Sequence, residues 1–162
     1  MKKVQWGRTP LHHRGAEMVR EVRKEEINEL LELYTYLHED GVPEMNQHLK
    51  DVWDAIITDK NHHILVNEID GKIVSSCVCV IILNLTRNIR PYAFVENVVT
   101  HGDYRGKGYA TECLNFAKGI AEAENCYKMM LLTGSKREST LNFYRNAGYN
   151  SEDKTAFIQW LR

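Results

Sequence analysis

Nothing in this 162-residue sequence approaches the roughly 20 consecutive apolar residues that a membrane-spanning helix needs, so no membrane partner is expected. A surplus of one charge is also missing. Lys and Arg number 21 against 22 Asp and Glu, a net charge of -1, and the basic footprint of a nucleic-acid binder is absent. Proline is scarce, at three residues, and no low-complexity linker or internal repeat divides the chain. At this length a single domain is expected. The four cysteines lack the spacing of a disulfide framework or a zinc ribbon, which makes a reducing, cytoplasmic setting the simplest expectation. The opening M-K-K-V-Q-W-G-R-T-P has no apolar h-region, so it does not read as a secretory signal.

What is present reads as alternating strands and helices. Residues 1–15 are polar and broken by Gly7, Pro10 and Gly15, an irregular N-terminal segment; residues 16–162 form the domain. A short strand is expected over 17–22. A helix follows over 24–40, with Ile27, Leu30, Leu31, Tyr34 and Leu37 on one face, stopped by Asp40-Gly41-Val42-Pro43. A second helix, 47–58, repeats the pattern through Leu49, Val52, Trp53, Ile56 and Ile57. Residues 62–69 and 72–83 read as a hairpin on Asp70-Gly71. Next come a polar connection with Arg87 and Arg90, a strand over 92–99 and a helix over 107–124. A buried strand over 127–133, a helix over 138–147 ending at Gly148, and a last strand over 155–161 complete the order β-α-α-β-β-β-α-β-α-β. The class is a mixed α/β sheet with helices on both faces.

The chain is organised around 92–111, where a strand runs through a glycine loop into a helix. A helix mouth carries unpaired N–H groups and partial positive charge. Glycine lets a ligand approach the backbone, and Arg105 and Lys107 add full charges. The result is a seat for a phosphate or pyrophosphate. The P-loop pattern fails, because only three residues separate Gly102 from Gly106 and Gly108 stands where Ser or Thr should follow Lys107. The dinucleotide pattern fails at Thr111 and in the length of the loop. Arg105-Gly106-Lys107-Gly108-Tyr109-Ala110 fits [QR]-x-x-G-x-[GA].

That signature, with E-N-V-V-T-H-G-D-Y before it, resembles the pyrophosphate-binding block of the GNAT superfamily of acetyltransferases. A second block, Asn142-Phe143-Tyr144-Arg145-Asn146-Ala147-Gly148-Tyr149, resembles the F-Y-x-x-x-G-[FY] part of the family's N-x-x-F-Y-x-x-x-G-[FY], with its Asn next to the Phe. The resemblance implies a mixed, mostly antiparallel central sheet and direct transfer of acetyl from acetyl-CoA, with no metal, to a primary amine of a small molecule or peptide. It implies that the backbone of Val98, Val99 and Thr100 meets the acyl-pantetheine arm at a bulge or splay. Arg105, Gly106, Lys107, Gly108, Tyr109, Ala110 and Thr111 then hold the pyrophosphate, Asn142 bonds the arm, and Tyr144 is the general acid. A homodimer is also in the family's range, and the terminal strand A-F-I-Q-W-L has the character of an edge that pairs with a second subunit.

Glu96 is the candidate base, a carboxylate in an apolar strand where burial raises a pKa. Two-residue alternation places it on the side of Val98 and Thr100, with Asn97 facing away. A structural salt bridge with Arg87 or Arg90 is the competing role. Those arginines have two readings themselves, as solvated loop residues or as a seat for an acceptor phosphate. The two helices after the first strand wall the acceptor cleft in the resembling family, so Tyr34, Tyr36 and His38 face either acceptor or core. His101 reads as a surface residue and a weak alternative base. His12 with His13, His62 with His63, and Cys77 with Cys79 lack further metal ligands, and loop or packing roles are expected of them. A non-catalytic acyl-CoA binding module is the alternative function.

Overall fold

The computed structural model describes residues 18–37 and 41–161. The 1–15 segment with His12 and His13, as well as His38 and Asp40, lie outside the described residues. Five strands form one sheet in the order β1-β2-β3-β4-β5: β1 Met18–Glu21, β2 His62–Ile69, β3 Lys72–Ile82, β4 Tyr92–Thr100 and β5 Met129–Leu131. The pairs from β1 to β4 are antiparallel, and β4 pairs β5 in parallel. Helices α1 Ile27–Tyr34 and α2 Gln47–Thr58 cover one face. Helices α3 Tyr109–Ala123 and α4 Glu138–Asn146 cover the other. This is the mixed, mostly antiparallel sheet that the sequence predicts. No described helix is long and apolar enough to cross a membrane.

The two faces have separate cores. Leu65, Cys77, Cys79 and Val95 pack under Cys113, Leu114 and Ala117 of α3. Ile64, Val66, Val78 and Val99 pack under Leu30, Leu33 and Trp53. Cys77 and Cys79 share the α3 face, as two-residue alternation requires. Local chemistry sets the element ends. Asn46 caps α2 by accepting from Leu49 N–H at 2.9 Å. Trp53 Nε1 donates to Lys24 O at 2.9 Å and ties α2 to the turn before α1. Asp70 and Gly71, both at positive φ, close the β2–β3 hairpin. Buried Asn67 donates through Nδ2 to the Glu112 carboxylate and anchors the first turn of α3 to β2.

Three expected elements differ. The helix expected over 24–40 starts as a single 3-10 turn, Lys24–Glu26, and leaves the α-helix at Tyr34. Thr35, Tyr36 and Leu37 donate to Glu32, Leu33 and Tyr34 instead, tightening the chain to i−3 bonds as Tyr36 turns toward His101. The strand expected over 127–133 is only Met129–Leu131, because pairing with β4 ends at Val95. The terminal strand does not form: residues 155–161 have no ladder partner. The adjacent sheet edge, β5, is three residues long and too short to template it.

Candidate active site

The site begins with an extra residue in β4. Val78 pairs with Glu96 and Ser76 with Val99, so Cys77 alone opposes Asn97 and Val98. Asn97 sits at φ 50°, a left-handed conformation that asparagine tolerates better than most residues. This is a β-bulge. It reverses the facing of everything after it. Val95 and Val98, three residues apart, pack on the same α3 face. Glu96 and Asn97 both open onto the α1–α2 face. The expectation that Glu96 shares a side with Val98 and Thr100 is therefore wrong, as is the expectation that Asn97 faces away from it. The two-residue period holds only along an unbulged strand.

The bulge coincides with the end of β4–β5 pairing at Val95. His101 N–H donates to Val74 O at 2.9 Å, on the β3 side. By alternation Val99 also points its N–H toward β3, while Val98 and Thr100 point theirs away, to the side where pairing with β5 has ended. Val99 is buried on the α1–α2 side. Thr100 Oγ1 is 2.8 Å from Ser75 Oγ, which also donates to Val99 O at 2.9 Å and fixes the strand end.

Beyond Thr100 the chain turns through Gly102–Tyr104 and enters α3 at Gly108. Gly106 and Gly108 have φ 73° and 93°, and an added Cβ at either would meet nothing within 4 Å. Space is open there, yet the backbone conformation excludes other residues at low cost. No side chain caps α3. Arg105, Gly106, Lys107 and Gly108 are solvent-exposed. Arg105 Nε donates to Thr100 O at 3.2 Å, and Lys107 Nζ stands 5.0 Å from the centre of the Tyr104 ring. Tyr109, Ala110 and Thr111 form the helix's first turn and are half-buried. An exposed, positively charged, glycine-bent helix mouth fits a diphosphate.

Helix α4 brings Tyr144 to the α3-face core. Gly148, at φ 92°, donates to Arg145 O, and Tyr149 N–H reaches back to Tyr144 O at 3.0 Å. This is a Schellman stop. It lays Tyr149 against Tyr144, ring centres 6.1 Å apart, with Phe143 on the other side at 4.9 Å. Burial, and then the fields of Cys77 and Glu96, hold the Tyr144 phenol above its usual pKa. The Glu96 carboxylate thus acts on Tyr144 although the two approach from different faces. Asn142 is exposed and accepts from Arg145 Nη1 at 2.9 Å.

Glu96 is exposed, not buried as expected. It pairs with no cation among the described residues, so the salt-bridge role is not realised. Arg90 instead donates to Asn125 O and Cys126 O, pinning the chain after α3, and Arg87 lies over the Tyr127 ring. Glu96 and Asn97 line a cavity of about 440 Å³ between α1, α2 and the sheet. Tyr34 lines it as well. Its hydroxyl and Ser76 Oγ are buried without a well-formed hydrogen bond among the described residues, and burial pushes the Tyr34 phenol up to about 12. His101 is engaged at both nitrogens. Nδ1 accepts from Asp103 N–H at 3.2 Å, and Nε2 lies 2.9 Å from Tyr36 Oη. Those bonds give it a structural task. Among the described residues no three His, Cys, Asp or Glu gather as metal ligands. His63 pairs with Glu21 at 2.6 Å on the α3 face, while His62 faces the cavity.

A bulged central strand, a parallel neighbour whose pairing stops just before the bulge and a glycine-bent helix mouth at the end of the same strand define an acyltransferase fold. The chain belongs to the acetyltransferase (GNAT) family, whose profile matches residues 25–149. It is 34% identical to a solved structure from Agrobacterium tumefaciens provisionally named an acetyltransferase, covering 88% of this chain and 99% of that one with a TM-score of 0.82. It is 25% identical over 151 residues to an uncharacterised N-acetyltransferase of Methanocaldococcus jannaschii, covering 89% of this chain and 64% of that protein. Over 84 residues it is 30% identical to glucosamine 6-phosphate N-acetyltransferase of Trypanosoma brucei brucei, covering 52% of this chain and 55% of that protein. The chain therefore spans less than two thirds of the length of either curated relative.

Proposed function

We propose that this protein is an N-acetyltransferase that moves acetyl from acetyl-CoA directly onto a primary amine of a small molecule or peptide. One observation carries the reading: β4 bulges at Asn97 and Val98 and has no ladder partner on its β5 side beyond Val95, on the strand that leads into the Arg105–Thr111 helix mouth. When bound, acetyl-CoA supplies the acetyl group as a thioester. Backbone N–H groups of residues 105–111, with Arg105 and Lys107, hold its diphosphate. Val98, Val99 and Thr100, with Asn142, hold the pantetheine arm. N–H donors aimed at the acyl oxygen stabilise the negative charge that develops there.

Glu96 takes a proton from the amine nitrogen, which must lose its charge to attack. Its exposure lets that proton pass on to solvent. Tyr144 holds a proton at Oη, ready for the departing sulfur, and its raised pKa keeps that proton in place at neutral pH. Across the reaction an N–C bond replaces the S–C bond and the sulfur leaves as a thiol with the Tyr144 proton; of the two protons the ammonium gives up, one passes through Glu96 to solvent and the other restores the Tyr144 hydroxyl. The four cysteines are free, which suits a reducing, cytoplasmic setting. The unpaired apolar segment at 155–161 favours a homodimer. Calorimetry with acetyl-CoA, followed by thiol release over a panel of amines, tests the assignment. Binding with amine-dependent release is expected. Tight binding with no release from any amine would mark a non-catalytic acyl-CoA module, and no binding would remove both readings.

A further inference from the structure

The cavity between α2 and the sheet is larger than its own side chains fill. Its walls are Leu31, Val52, Trp53 and Ile56 from the helices and Ile64 and Val80 from the sheet. Val52 lies on the apolar stripe of α2, yet it remains 42% exposed. About 440 Å³ within mostly apolar walls is the size and lining of a small-ligand site. Besides His62, whose imidazole burial holds below its usual pKa, the polar lining is Glu96 and Asn97 at the bulge end and the buried Tyr34 hydroxyl, which makes no well-formed hydrogen bond among the described residues. Glu96 is the one carboxylate in the lining, and the lining contains no lysine or arginine. An ammonium matches that end. A phosphate would meet a like charge and no cation.

We infer that this cavity seats the acceptor, and that the acceptor is a primary amine on an apolar arm rather than a phosphorylated amino sugar. The arm lies along Val52, Trp53 and Ile56, and the nitrogen sits at Glu96 beside the bulge of β4. This deepens the acetyltransferase reading and rests on it for the chemistry, but the seat itself can be measured without turnover. It also separates this chain from the T. brucei brucei relative, named for glucosamine 6-phosphate.

The test is calorimetry of the full chain, without acetyl-CoA, against butylamine, hexylamine, octylamine, hexanol and glucosamine 6-phosphate. Affinity should rise about three- to fourfold per added methylene, as burial of each CH₂ predicts. Hexylamine should bind more tightly than hexanol, and glucosamine 6-phosphate should bind least. Glu96→Gln should abolish the preference for hexylamine over hexanol, and Val52→Trp, a change at an exposed position, should fill the seat and weaken every alkylamine. Length-independent binding, or alkylamine affinity unchanged in Val52→Trp, would overturn the inference. So would acetyl transfer to glucosamine 6-phosphate with no alkylamine binding, and that outcome would leave the acetyltransferase reading intact. Length-dependent binding without acetyl transfer would keep the seat and remove the transferase reading.

Discussion

At the scale of single residues, the proposed mechanism asks for two groups that lie on opposite faces of the sheet. Glu96 is exposed and free of cations, so its carboxylate is available to accept a proton. Tyr144 is half-buried, and its phenol is held above the usual value by burial and by nearby negative charge. A raised folded pKa means the proton stays on as pH climbs past the reference value of about 10. The alkaline loss of activity caused by Tyr144 should therefore fall above pH 10. Tyr144→Phe should lower kcat about 10²-fold and delete that limb, leaving affinity for coenzyme A near its starting value. Glu96→Gln should cost a similar factor in kcat at neutral pH. Steady-state pH–rate profiles of both variants check this. An unaltered alkaline limb in Tyr144→Phe would remove the donor role.

At the scale of elements, what the sequence could and could not disclose divides along physical lines. Helix α2 and the β2–β3 hairpin were legible because the apolar period and the Asp70-Gly71 turn both act within a few residues. The glycine mouth of α3 was legible for the same reason. The bulge was not, because it is a property of pairing: Glu96-Asn97-Val98 reads as ordinary strand until β3 is set beside it. A signal was present in Asn97, a residue that tolerates left-handed backbone inside a β-branched run, but its consequence for Glu96 needed the partner strand. The C-terminal end of α4 is an element whose stop sets a functional side chain. Gly148 at φ 92° permits the Schellman bonds that clamp Tyr149 onto Tyr144. Gly148→Ala should destabilise the fold by about 1–2 kcal/mol, the cost of a Cβ in left-handed backbone. It should also lower kcat with little change in affinity for coenzyme A. Thermal unfolding and steady-state kinetics on one preparation report both effects. A variant of wild-type stability and rate would show that Tyr144 is placed by something other than this turn.

At the scale of the whole molecule, the exposed residues 157–161 are the surface a second copy would cover. Phe157, Ile158, Trp160 and Leu161 are 92%, 61%, 86% and 89% exposed, four large apolar side chains within five residues. Such a run has strand character, but β5 offers only three residues of edge for it to extend within its own subunit. Two copies remove that limit, because each tail can pair with the other tail or lie along the other's open edge. Covering the four side chains takes roughly 600 Å² per copy, or about 1,200 Å² for a symmetric pair, which reaches the lower bound of a stable interface. A dimer that dissociates on dilution is therefore expected. Sedimentation over a hundredfold range of concentration should show it, and Phe157→Asp with Trp160→Asp should leave a folded monomer that still binds coenzyme A, since neither residue lies in the glycine mouth or the bulge. A wild-type chain that stays monomeric at every concentration, with unchanged sedimentation in the double variant, would mean that this apolar run has another occupant.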